Sequence, residues 1–129
     1  MADPQLTSAG EALAAWLEHL AHERRLAANT LEAYGRIGRL YLAFLERHRG
    51  GPQRLADLGT VTAAEVRAHL AERRSGDHPL AARSISQTLS AIRAFHGFLD
   101  RRCATPAPQL ALVRGPRIKP SLPRPVSED

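Results

Sequence analysis

The stretch from Arg83 to Arg101 constrains this chain most. Read as a helix at roughly 100° per residue, it gathers Ile85, Leu89, Ile92, His96 and Leu99 on one stripe. The opposite face carries Arg83, Gln87, Ser90, Ala94, Gly97 and Arg101, with no acid among them. A helix face that serves only solubility usually mixes long side chains of both signs. Small residues between arginines instead let a backbone come close to a phosphate surface. This segment needs an apolar core on one side and suits a polyanion on the other.

Three further segments share that periodicity. The first opens on Ser8 and Glu11, spaced as a capping box, and carries Leu13, Trp16, Leu17 and Leu20 inward to about Arg24. The second spans about Ala28 to Arg47, with Leu31, Tyr34, Ile37, Tyr41, Phe44 and Leu45 inward, and stops at Gly50-Gly51-Pro52. The third begins at Thr62, with Glu65 completing a second box, and buries Val66 and Leu70 before Ser75-Gly76. The fourth is the segment above, starting after Pro79 and ending near Arg102. No stretch alternates like a strand, so the expected class is all-α, a compact four-helix bundle. After Cys103 come Pro106, Pro108, Pro116, Pro120, Pro123 and Pro125. They forbid a continuous helix and favour an extended arm. The expected division is a helical domain over 1–103 and a proline-rich linker over 104–129.

Charge is spread unevenly. Residues 1–20 hold Asp3, Glu11 and Glu18 and no base, whereas residues 21–125 hold all 18 Lys and Arg against eight acids. Cys103 is the single cysteine, so a disulfide framework is not expected. No apolar run approaches the ~18 residues of a membrane span, and the N-terminus lacks the basic start and apolar core of a signal peptide. The expectation is a soluble, cytoplasmic, nucleoid-associated chain with no membrane partner.

Four pieces in order, Glu23-Arg24-Arg25-Leu26-Ala27-Ala28-Asn29-Thr30-Leu31-Glu32-Ala33-Tyr34, Arg83-Ser84-Ile85 leading to Leu89-Ser90-Ala91-Ile92-Arg93-Ala94-Phe95, Phe98-Leu99, and the tail Pro116 to Pro123, carry a resemblance. Together they resemble the N-terminal core-binding domain of Xer-type tyrosine recombinases, nearer the XerC branch in the 56–70 region and the tail. The resemblance covers nearly the whole chain. It implies a SAM-like helical fold that grips duplex DNA as half of a clamp. It also implies partner recombinase subunits in a hetero-tetramer, chromosome dimer resolution, and a C-terminal domain that carries the catalytic residues. Departures are Ala27, where relatives often have a capping Ser; Gln87, where a base is common; and Thr105-Pro106 in place of Asn-Pro.

No catalytic residue is expected in this chain. Tyr34 and Tyr41 lie on an apolar stripe, and His22-Glu23-Arg24-Arg25 only mimics His-x-x-Arg at a helix end. His19 and His22 share a helix face without a third ligand, so no metal is expected. The absence of a glycine-rich phosphate loop argues against a nucleotide, and no cofactor is expected. DNA binding is what remains. The second helix turns Ala28, Glu32, Gly35, Arg36, Arg39, Ala43 and Arg47 outward, repeating the pattern of the fourth. The candidates are Arg36, Arg39, Arg83 and Arg93 for phosphates and Ser84, Gln87 and Ser90 for base edges or sugars; the resemblance adds Thr30. On the residues alone, Arg36 and Arg39 pairing with Glu32 and Glu46 on a solvated surface is an equal alternative. A mobile-element integrase and a free-standing helical protein-interaction module are the rival functional readings.

Overall fold

The structure is a computed structural model that describes residues 6–116. Four long helices form the body: α1 (Ala9–His22), α2 (Ala28–Arg49), α4 (Ala63–Ser75) and α5 (Ala82–Cys103). A single turn, α3 (Leu55–Leu58), lies between α2 and α4, and a 3-10 turn at Pro108–Leu112 follows α5. No strand is present among the described residues. The chain is all-α, as its periodicity requires.

Local chemistry sets the helix starts. Ser8 Oγ accepts from Glu11 N at 3.0 Å, and the Glu11 carboxylate takes Ser8 N at 3.0 Å and Thr7 N at 2.9 Å. Thr62 and Glu65 form the same reciprocal cap on α4. By contrast, α2 and α5 start from Ala27 and Ala81 with no side-chain cap, so their first amides stay unpaired within the helix. Gly50, at φ +89°, ends α2 in the left-handed conformation that glycine tolerates without strain.

Apolar stripes then decide the packing. Trp16 sits between Tyr34, stacked at 5.7 Å, and Phe95 at 5.3 Å, which ties α1, α2 and α5 around one aromatic centre. Tyr41, Leu45, Leu58, Val66, Ile85, Leu89, Ile92 and Leu99 complete a core that is almost wholly shielded from solvent. α3 escaped the periodicity because one turn is shorter than one repeat of the helical pattern. It nevertheless buries Leu55 and Leu58, and its start pairs with that of α1 through Ala9 N to Gln53 O (2.9 Å) and Leu55 N to Thr7 O (2.8 Å).

The proline-rich stretch keeps to the body further than its composition suggests. Beyond Ala104 the chain doubles back along α5, and Leu110 and Val113 enter the core. Gln109 Oε1 accepts from Ala63 N at 2.9 Å, and Arg67 donates to Leu112 O at 3.0 Å. Proline excludes an α-helix here but fits the first position of a 3-10 turn, and the two apolar anchors hold the turn in place. Residues 117–129, half of the expected arm, lie outside the described residues.

Two glycines of α2 differ in what they accommodate. A Cβ on Gly38 would lie 2.5 Å from Leu13 Cδ1, a buried side chain of α1. On Gly35 it would meet Arg39 Nη1 at 3.1 Å and Leu17 Cδ1 at 3.6 Å. The Arg39 side chain is exposed and can move. Gly35→Ala is therefore expected to stabilise by up to ~1 kcal/mol through helix propensity. Gly38→Ala should destabilise by about 1–2 kcal/mol because it wedges two helices apart. Paired thermal melts check both, and equal responses would contradict this account.

Candidate nucleic-acid interface

The predicted back face of α5 is open to solvent. Arg83, Gln87, Ser90, Ala94 and Arg101 are all exposed. Ser84 and Arg93 flank this stripe on opposite sides, each about 80–100° from it around the helix, and the two flanks meet different neighbours. Ser84 is half-buried and faces α2 and α4. Arg93 faces the C-terminal stretch, where its guanidinium donates to the Val113 carbonyl. Arg93 thus fastens residue 113 and does not join the other candidates.

α2 divides in the same way. Arg36 and Arg39 are both exposed but stand about 60° apart around the axis. Arg36 leans toward α4 and α5, where it borders a cleft with Arg73, Ser84 and Gln87. Arg39 leans over the α1–α2 seam beside Leu13 and Leu17. Gly35, expected on the outward face, is buried beneath Arg39 and Leu17, because α1 crosses closer than a helical wheel can register. Thr30 is half-buried in the first turn of α2, away from the cleft.

The electrostatics separate used from unused arginines. Arg47 makes two bonds to Glu72 at 3.0 and 3.2 Å, and that carboxyl is held below its usual range by them. Arg49 is fully engaged with Glu65. Arg36, Arg39, Arg73 and Arg83 are four of the twelve arginines that form no ion pair among the described residues. The surface pairing of Arg36 and Arg39 with Glu32 and Glu46 does not form. Three of these four cations belong to the helices singled out from sequence. Arg73, on α4, does not, although its spacing of seven from Val66 and three from Leu70 puts it on the inward side of that helix.

Beneath the cleft lie three polar groups that the core has absorbed. Tyr41 Oη and His96 Nε2 share a hydrogen bond of 2.7 Å. Burial pushes the Tyr41 hydroxyl up and His96 down to about 4, so both stay neutral. His96 packs on the buried stripe as expected. His69 is 1% exposed, lies 5.6 Å from the Tyr41 ring and 5.1 Å from Phe44, and is held down to about 4 by burial. Neither ring nitrogen of His69 has a partner. His19 Nδ1 contacts Glu23 at 3.0 Å, and no group of three metal-ligating side chains occurs among the described residues. No described helix is long and apolar enough to cross a membrane.

Known proteins give this geometry its context. Residues 13–103 match the family described as "Phage integrase, N-terminal SAM-like domain". The chain is 40% identical over 125 residues to the tyrosine recombinase XerC of Bradyrhizobium diazoefficiens, covering 97% of this chain and 37% of that protein. It is 40% identical over 126 residues to the XerC of Mesorhizobium japonicum, covering 98% and 39% respectively. Against the XerC of Rhizobium meliloti it is 38% identical over 113 residues, covering 88% and 35%. The chain therefore spans less than two-fifths of the length of these relatives. No solved structure matches it. A helical domain with this core and these matches belongs to the phage integrase N-terminal SAM-like family, as an N-terminal domain of the XerC type.

Proposed function

We infer that this domain binds duplex DNA as the gripping half of a site-specific tyrosine recombinase, with α2 and α5 against the duplex. One observation carries the reading. Arg36 of α2, Arg73 of α4 and Ser84 and Gln87 of α5 converge on one cleft, and neither arginine forms an ion pair among the described residues. Buried structural cations are normally paired, and unpaired ones gathered on one face suit a polyanion. The exposed stripe beside the cleft supports the same reading. Ser90 and Ala94 are short enough to let α5 approach a groove, and Arg83 and Gln87 stand at its edge. Arginine fits phosphate in a bidentate manner, and Gln87 can address base edges. The unpaired first amides of α2 and α5 add further donors for phosphate oxygens.

On this reading, Arg36, Arg39 and Arg83 supply affinity, while Ser84, Gln87 and Ser90 supply sequence preference. Arg93 contributes only where it leaves Val113. The domain acts together with a catalytic domain that bears the tyrosine nucleophile and with partner recombinase subunits. Its task is recombination of the kind that resolves chromosome dimers, in the cytoplasm. No metal or nucleotide is required of this domain.

A salt titration on a generic duplex tests the proposal. Affinity should fall linearly in log–log form, and Arg36→Ala should reduce the slope by about one. Arg47→Ala should leave the slope nearly unchanged, because Glu72 already neutralises that cation. Gln87→Ala should alter the ratio of cognate to scrambled affinity more than either value alone. Salt-independent or undetectable binding would refute a DNA role for this face.

A further inference from the structure

The cleft between α2, α4 and α5 contains a feature that groove binding does not explain. It encloses about 90 Å³, several times the space one ordered water fills. Arg36 stands on one wall and Arg73 on another, with Ser84 and Gln87 between them. At the floor is His69, whose two ring nitrogens are shielded from solvent and unbonded. A neutral imidazole always carries one N–H, so the protein buries a donor with nothing to receive it. Such a group costs stability and is rare unless something fills the place opposite. His96 shows the contrast: its Nε2 is taken by Tyr41.

We propose that this cleft is a phosphate-binding pocket, in which Arg36 and Arg73 clamp one oxyanion from the walls and a ring N–H of His69 donates to it from the floor. The inference rests on the DNA reading for its natural occupant, a backbone phosphate of the duplex; free inorganic phosphate presents the same chemistry. The walls supply two cations and no carboxylate, and Ser84 and Gln87 add neutral donors that orient the remaining oxygens. The nearest carboxylate to His69 is Glu72 on its own helix, and Arg47 of α2 holds it. Arg73 of α4 and Arg47 of α2 act on the ring as cations, Arg36 of α2 shares the cleft with it, Tyr41 of α2 lies against it uncharged, and α5 presents Ser84, Gln87 and Thr88 without charge, with His96 behind Tyr41. An empty pocket is therefore hostile to a protonated imidazole, and an occupied one favours it. Anion binding should take up a proton, so affinity rises as pH falls toward 4, where the imidazole of the unliganded fold itself becomes protonated.

The test uses the full chain and three probes: sulfate, whose charge stays constant over this range, inorganic phosphate, and a generic duplex. The His69 ring C–H signals, assigned by their loss in His69→Leu, report occupancy by NMR. Sulfate and phosphate should shift them saturably, and Arg73→Ala should weaken both about tenfold. Arg74→Ala, on the side of α4 that faces Leu112, should not. His69→Leu should keep neutral-pH sulfate binding within a few-fold but abolish its rise in acid. A shift of the same signals by duplex identifies the occupant as a backbone phosphate. A shift by the free anions while bound duplex leaves the signals unmoved overturns that identification. Duplex binding with no response of His69 to any probe overturns the pocket and leaves the DNA face standing. Failure of the duplex to bind at all removes the reading beneath it.

Discussion

Replacing Arg49 with methionine is expected to cost this domain about 3–5 kcal/mol. Arg49 ends α2, and its guanidinium reaches Glu65 Oε2 at 2.8 Å and Oε1 at 2.6 Å, Gln53 Oε1 at 3.1 Å, Asp57 O at 2.9 Å and Thr60 O at 3.1 Å. One side chain thus ties the last turn of α2 to the α3 loop and to the cap of α4. The pair is mostly buried, with the Arg49 and Glu65 side chains 19% and 13% exposed. Arg49 holds the Glu65 carboxyl down to about 2. Removing the cation strands that carboxylate together with two backbone carbonyls. Glu65→Gln in the Arg49→Met background should restore part of the loss, because glutamine still caps Thr62 without a charge to strand. Urea denaturation is the measurement, with a lower midpoint at unchanged slope. A loss under about 1 kcal/mol would mean that the network behaves as an ordinary surface pair.

Acid should destabilise the domain well above the range where carboxylates titrate. In the unfolded chain His69 and His96 take up protons near 6.5, whereas in the fold burial delays this to about 4. Between those values the unfolded state binds more protons. Stability is therefore whole above pH 6.5 and falls as pH drops toward 4. The loss is of order 3 kcal/mol for each ring, against a total of roughly 5–15 kcal/mol for a domain. Glu65 extends the decline, since its contribution is present above 4.5 and disappears as pH falls toward 2. His69→Leu should flatten the first part of the curve without a penalty at neutral pH, because it removes no hydrogen bond. His96→Leu should flatten it too, but at neutral pH it should cost about 1–3 kcal/mol for the Tyr41 hydroxyl left behind. A wild-type midpoint that stays constant from neutral pH to 5 would contradict the buried-neutral assignment.

Much of this molecule is legible in its sequence. Both capping boxes, the inward stripe of α5, the burial of Trp16, Phe95 and His96, and the exposure of Arg83, Gln87 and Ser90 follow from the order of residues along one helix. Each depends on contacts three or four positions apart. A polar residue three places before a glutamate, or an apolar residue once per turn, carries its meaning locally. The matches of residues 13–103 and of the XerC relatives bear on the same helices.

The flanks of those helices were not legible in this way. A helical wheel puts Arg36 and Arg39 on one outward face and Ser84 and Arg93 beside one stripe. Which neighbour stands against each flank depends on packing between segments far apart in sequence. α1 covers Gly35 and draws Arg39 to its side, the 110–113 segment captures Arg93, and α4 brings Arg73 and His69 to Arg36 and Ser84. The reach of Arg49 from α2 to α3 and α4 is of the same kind, as are the buried positions of Leu110 and Val113 in a stretch that reads as linker. Local periodicity determines which side of a helix faces inward, since that takes only one helix and water. Where a charge ends up at the border between faces is a tertiary matter, because its energy depends on the groups that the rest of the chain brings within reach.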